Sequence, residues 1–274
     1  MTVLKRLIMY ASLVLIILMG YSFAEPYWIE DKQLIIIDDN IPHQLEGTRI
    51  VFISDIHHGP FFSLARLRDF VQRVNGLQPD LIILGGDYIY RSEDYIKPCF
   101  NALKHLEAPF GVYAVLGNHD HWKDAPLIRN EIIDAGFYLL DNKAYWIDKG
   151  EDRIKLGGVG DYFEDVQDIN PTIEDVTADD FVILVSHNPD YVEHIVTDKI
   201  NFVFAGHTHG GQITFLGIWT PFISSQYGQK HRAGLVETAY TRVFISHGVG
   251  TVIVPMRLFT RPQIIVAELS RGQK

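Results

Sequence analysis

Cysteine is almost missing: Cys99 is the only one in 274 residues. No intramolecular disulfide and no thiolate metal cage can form. Cys99 lies in an apolar helical pattern, which predicts plain core packing. Positive charge is also scarce, with 24 Lys and Arg against 34 Asp and Glu and a formal net charge of −10. That balance excludes a broad nucleic-acid-binding face, which needs clustered Lys and Arg. It leaves a phosphorylated substrate open, because bound cations reverse the local potential. Low-complexity segments, obvious repeats and a twin-arginine pair are absent too.

Long charge-free apolar runs are lacking except for one at the start. Leu7–Phe23 carries no charge and follows Lys5 and Arg6. As a helix its 17 residues would span about 25 Å, near the lower limit for crossing a bilayer. Residues 1–24 are therefore expected to form a transmembrane anchor or a signal peptide. Ser22 and Ala24 are the small residues that a signal peptidase would need. The run exceeds a usual signal-peptide core, which favours the anchor. Glu25, Glu30 and Asp31 follow the helix, so the charge asymmetry places the N-terminus in the cytoplasm and the rest outside it. Residues 25–32 read as a linker and 33–270 as the folded domain.

What is present beyond the linker is an alternation of short apolar strands and helix-length stretches. Arg49–Ser54, Leu81–Leu84, Val112–Leu116, Val182–Val185, Phe202–Ala205 and Val243–Ile245 are β-branched or aromatic-rich and too short for ordinary helices. Helical stretches lie near Leu64–Val74, Tyr95–Leu106 and Leu127–Ala135. Tyr145–Ile147 and Ile154–Leu156 flank a polar Lys149–Asp152 turn, which reads as a β-hairpin. This pattern predicts one α/β domain, an αββα sandwich with two mixed sheets.

Five of the apolar strands run into potential metal ligands. Ser54-Asp55-Ile56-His57 follows the first, Gly85-Gly86-Asp87 the second, and Gly117-Asn118-His119-Asp120 the third. Ser186-His187-Asn188 and Gly206-His207-Thr208-His209 follow two more. Ligands of open α/β sheets bind at the carboxyl ends of strands, so these side chains are expected along one rim. In extended chain, residues i and i+2 point to the same side. Asp55 with His57, and His207 with His209, would thus face one site. Oxygen and imidazole donors without thiolate suit Mn²⁺, Fe or Zn²⁺. Any one residue has a structural alternative: Asp55 or Asp120 as a helix cap, Asn118 as a turn residue, His187 as a satisfied core histidine. The set resists that reading, because burying several unpaired polar groups at strand ends is costly without a ligand.

These motifs, in this order over about residues 50 to 210, resemble those of the calcineurin-like metallophosphoesterase family. Gly210-Gly211-Gln212, Gly248-x-Gly250 and Arg257 look like its membrane-associated, single-domain bacterial branch. The resemblance implies two divalent cations, with Mn²⁺ the leading expectation. Asp55, His57 and His209 would hold the first and Asn118, His187 and His207 the second, with Asp87 bridging them. It implies in-line attack of an activated water on phosphorus. His119 would stabilise the transition state or protonate the leaving oxygen, and Asp120 would orient His119. One position departs from the pattern: Tyr90 stands where many relatives carry Asp, Asn or Arg. His247 stands where the branch often has Arg, as a phosphate contact or an ordinary loop histidine. His58 and His121 have no ligand role in the resemblance.

The leading functional expectation is a hydrolase of phosphodiester or pyrophosphate bonds acting on a lipid-linked or cell-envelope substrate. A hydrolase resembling UDP-2,3-diacylglucosamine pyrophosphatase is the specific alternative. A noncatalytic metal-binding interaction module is the alternative of another class. Such a module should lack a bridging carboxylate, a ligand or the His119 equivalent, and this chain has them all.

Overall fold

The computed structural model describes residues 2–272. Helix α1 (Val3–Ala24) comes first, followed by strands β1 (Glu30–Asp38) and β2 (Arg49–Ile53). Next come α2 (Leu64–Gly76), β3 (Leu81–Leu84), α3 (Ile96–Leu103), β4 (Val112–Ala114), α4 (Asn118–Asp134) and β5 (Tyr138–Leu139). The second half holds β6 (Lys143–Lys149), β7 (Asp152–Gly158), α5 (Asn170–Ile173), β8 (Val182–Val185) and β9 (Phe202–Ala205). It closes with β10 (Gly234–Glu237), β11 (Arg242–Ile245) and β12 (Gln263–Arg271).

The strands form two six-stranded mixed sheets, in the orders β1-β12-β2-β3-β4-β5 and β10-β11-β9-β8-β7-β6. In the first, only the β12–β2 pairing is antiparallel. In the second, β9, β8 and β7 run parallel with β11, and antiparallel strands close both edges. The αββα expectation holds, with one asymmetry. Helices α2, α3 and α4 cover the first sheet, whereas the outer face of the second carries α5 and a short 3₁₀ turn, Pro189–His194.

Period-two alternation builds the layers. Ile50 and Phe52 of β2 enter the core between the sheets, while Val51 and Ile53 face the helices. In β8, Ile183 and Val185 point inward and Val182 and Leu184 outward. Phe52 stacks on Phe204 of β9 with ring centroids 5.0 Å apart, which ties the two sheets together close to their active rims. Such a pair adds roughly 0.5–1.5 kcal/mol to its area burial. Helix α2 starts at Ser63, whose side chain accepts from Arg66 N. It buries Leu67, Phe70, Val71 and Val74 at the i, i+3, i+4, i+7 spacing of one helical face. Cys99 is buried in α3, as its pattern predicts.

Three boundaries differ from the sequence reading. The hairpin is real, but Lys149 and Asp152 still pair, so the turn is only Gly150-Glu151. The helix expected at Leu127–Ala135 begins at Asn118, inside a ligand motif, and kinks at Asp124 ahead of Pro126. Polar motif residues and the proline hide its first turns from a periodicity search. The expected linker is not loose either. Glu25 is fully buried, and from Glu30 onward β1 pairs with β12. Among the described residues, the segment Val3–Tyr27 is the one helix long and apolar enough to cross a membrane. Its side chains are exposed until the last turn, where Ser22 becomes buried.

Candidate metal centre

The carboxyl ends of β2, β3, β8 and β9 and the start of α4 meet at one rim, and the predicted side chains converge there. Asp55, His57 and His209 bring one ligand atom each within 4.8 Å of one another. Asp87, His187 and His207 do the same, and so do His57, Asp87 and His119. Asp87 links the groups: its Oδ2 lies 3.5 Å from His57 Nε2 and 3.3 Å from His187 Nε2. Asn118 Oδ1 stands 3.2 Å from His187 Nε2 and 3.0 Å from His207 Nδ1. All seven predicted ligands are buried.

The backbone that delivers them is unusual. Asp55, His57, Asp87, His207 and His209 all have left-handed φ, between 49° and 69°. Non-glycine residues rarely adopt this conformation, and runs of it mark functional sites. This corrects the expected route: the i, i+2 pairs do converge, but through left-handed turns rather than extended chain. Hydrogen bonds hold the turns. Asp55 N donates to Gly86 O and His57 N to Asp87 O, so the two loops run on as a pair beyond β2 and β3. Gly250 N donates to Asp55 O, and a side chain at Gly250 would collide with the Ile56 carbonyl. A side chain at Gly117 would strike the Asp87 carboxylate and the His187 ring.

The chemistry of the donor set fits divalent cations. His57 Nε2 and His209 Nε2 face each other at 3.1 Å, and His209 Nε2 lies 3.6 Å from Asp55 Oδ1. Nitrogen lone pairs that converge in this way need a shared cation or proton between them. Burial lowers the pKa of His57 and of His207 to about 3 and that of His209 well below the ordinary range. These imidazoles are therefore neutral, the form that ligates metals. His187 Nδ1 donates to Gly85 O at 2.7 Å, which turns Nε2 toward the site. Burial opposes charge on His187, but Asp87 outweighs it and raises the pKa well above normal. A bound cation would take the place of that proton.

His119 projects beside this group and is only partly buried. Its ring lies 4.7 Å from that of His57 and 4.5 Å from that of Trp122, and the His119 backbone N–H donates to Asp87 Oδ1. The expected hydrogen bond from Asp120 to the His119 ring is not seen among the described residues. The Asp120 carboxylate accepts from the backbone N–H groups of Asp87, Tyr88 and Gly117 at 2.8–3.0 Å. It is a cap at the start of α4 that also ties the Asp87 loop to that start.

Tyr90, the departure from the family pattern, lines the site as an apolar wall. Its ring is 5.7 Å from those of His57 and His119. Its hydroxyl is taken by Ile253 N. His58 is buried against Phe62 O, and His247 Nδ1 bonds Arg261 O. His121, Asp141 and Asp165 form a separate cluster, already balanced by Arg129 across both carboxylates.

Two contributors escaped the sequence reading. Asp161 follows β7, is fully buried, leaves Oδ2 unpartnered and raises the pKa of His187. The strand-end rule that found the other motifs would have found it. Arg257 entered the sequence reading only as a mark of the family resemblance. It is wholly buried and donates to the carbonyls of His209, His247, Gly248, Gly250 and Thr260, with Nη2 3.4 Å from His209 Nδ1. Nothing in a lone arginine near the end of a sequence announces that position.

Residues 48–211 match the family model described as calcineurin-like phosphoesterase. The chain is 31% identical over 257 residues to an uncharacterized metallophosphoesterase, YkuE, of Bacillus subtilis, covering 91% of this chain and 90% of that protein. It is 28% identical over 260 residues to the phosphodiesterase YaeI of Escherichia coli, covering 91% and 92%. A transmembrane protein with metallophosphoesterase domain from Danio rerio is 27% identical, over 88% of this chain but 57% of that longer protein.

Proposed function

The chain belongs to the calcineurin-like phosphoesterases, metal-dependent hydrolases with a dinuclear divalent centre, and from that premise we propose a hydrolase of phosphodiester or pyrophosphate bonds in a lipid-linked or cell-envelope substrate. One observation carries this reading: seven buried oxygen and imidazole donors from both sheets converge on one rim. Asp55, His57 and His209 would hold one cation, Asn118, His187 and His207 the other, and Asp87 would serve both. Mn²⁺ is the leading metal. When bound, the pair supplies Lewis-acid stabilisation of phosphoryl charge and an activated water. The chain's own part is to position and to move a proton. His119 is the partly exposed group beside the ligands and serves the leaving oxygen. Gly85 O and Arg257 aim His187 and His209.

The preference for diesters rests on what surrounds the centre. A dianionic monoester needs extra cationic side chains. Of the three nearby cations, Arg257 is spent on carbonyls and Arg91 lies over the rings of Phe61 and Tyr90, which leaves Lys123 as the single one acting on His119. Tyr90 and Trp122 instead offer an apolar rim for a bulky leaving group. With Mn²⁺, catalytic efficiency is expected to be higher for an aryl phosphodiester than for the matched monoester. A clear monoester preference would overturn the substrate reading and leave the metal assignment standing.

Helix α1 is read as a retained single-pass anchor with the domain outside the cytoplasm. Lys5 and Arg6 precede it, and Ser22, part of the alternative cleavage site, is helical and buried. A C-terminal reporter active only in the cytoplasm would reverse the orientation.

A further inference from the structure

Two loops beside the metal centre are apolar and exposed. Residues 213–229 contain no charged side chain, and neither does 251–256. Phe215, Leu216, Ile218, Trp219 and Phe222 are between 51% and 83% exposed, and Ile253 is 76% exposed. Surface loops ordinarily carry polar side chains, and consecutive exposed apolar residues mark an interaction site. The loops act as one surface. Thr214 N donates to Leu258 O, and the Gln212 side chain bonds Val252 N, Val252 O and Val254 O.

The position of this surface identifies its partner. Helix α1 ends on the same segment. Ser22 O accepts from Arg257 N, and the buried Glu25 carboxylate accepts from Phe259 N and Thr260 N at 2.7 and 2.6 Å. The Tyr21 ring packs 5.6 Å from that of Phe259. At 22 residues, α1 is about 33 Å long, the thickness of a bilayer core. The point where it leaves the bilayer is thus fastened to the segment that bears Ile253 and pairs with the 213–222 loop. Trp28 and Trp219, both half exposed, are the residue type enriched at membrane–water boundaries.

We infer that the 213–222 and 251–256 loops are a second membrane contact, inserted into the bilayer surface around the exit of α1. The metal centre then faces the headgroup layer, since His209 lies four residues from Ile213. The lipid surface is the occupant because the apolar patch continues from the helix and carries no charge with which to select a protein. This inference rests on α1 being a span, and its test separates the two.

The 274-residue chain carries one cysteine, buried Cys99, so single exposed cysteines can be labelled. An environment-sensitive fluorophore is placed at Ile218→Cys, Ile253→Cys, Leu13→Cys in α1, and Val196→Cys. Val196 is 78% exposed and precedes β9 at the opposite end of the second sheet. Each variant is reconstituted in phosphatidylcholine–phosphatidylglycerol nanodiscs and probed with a lipid nitroxide quencher and with iodide. The expected result is loss of most emission to the lipid quencher at 218, 253 and 13, and to iodide alone at 196. Quenching of 13 by lipid with 218 and 253 behaving like 196 would overturn the inference and keep the span. Iodide quenching at all four positions would overturn both. Because no readout uses catalysis, failure of the proposed reaction would leave these outcomes unchanged.

Discussion

The two halves of the metal centre are built differently. Around the first proposed cation, Asp55, His57 and His209 all sit on left-handed backbone. That conformation is held by Gly86 O and Asp87 O on the adjoining loop and, from farther off, by Gly250 N on Asp55 O and the Arg257 guanidinium behind His209. Of the three ligands proper to the second, only His207 is left-handed, the shared Asp87 apart. Asn118 opens α4, and His187 is aimed by the neighbouring Gly85 carbonyl. The first half therefore depends on a distant loop that is itself fastened to α1. The second half depends on elements of the sheet rim. The difference teaches that the same donor chemistry can be held from a loop beyond the rim or by groups of the rim itself. The first should be the weaker and more adjustable half, because left-handed non-glycine residues cost about 1–3 kcal/mol each unless held.

Removal of the shared ligand should erase the comparison. Asp87→Ala takes away the carboxylate between His57 and His187, so both cations and all turnover are expected to be lost, as with chelation. Elemental analysis that finds two cations per chain in this variant would refute the bridging role. Next in size, His119→Ala should leave both halves loaded yet lower kcat roughly 10²–10⁴-fold, the scale of a positioned acid–base group. If it turned over a substrate with a poor leaving group as fast as the parent chain, the proton-transfer role would fall. The smallest effect sharpens the contrast itself. Arg257→Met should weaken the first site about 10–100-fold, as loss of a support behind a ligand does, and spare the second. Metal titration should then show one tight and one weakened site. Equal weakening of both sites would show that the halves are not independently supported.

Much of this arrangement was legible residue by residue. Short β-branched runs identified the central strands, and the polar cluster behind each marked the rim. Those signals survive in sequence because a buried strand is apolar and a ligand needs a side chain with a donor atom, here Asp, His or Asn. The edge strands β1, β5 and β10 and the interior strand β12 were not read. The edges are partly exposed or very short, and β12 mixes Gln263, Glu268 and Ser270 with its apolar residues. The start of α4 was missed because its first turn is made of motif residues.

From sequence alone came the candidate metal donors, the sandwich class and the apolar N-terminal helix, since each depends on residue type and local order. Tertiary structure decided the left-handed turns that aim Asp55 and His57, the work of Asp120 as a backbone cap, and the burial of Arg257 against His209. It also brought the uncharged 213–222 loop to the end of α1. Each of these is a meeting of segments far apart in the chain. Hydrogen-bond partners and exposure belong to such meetings, not to the residues that enter them.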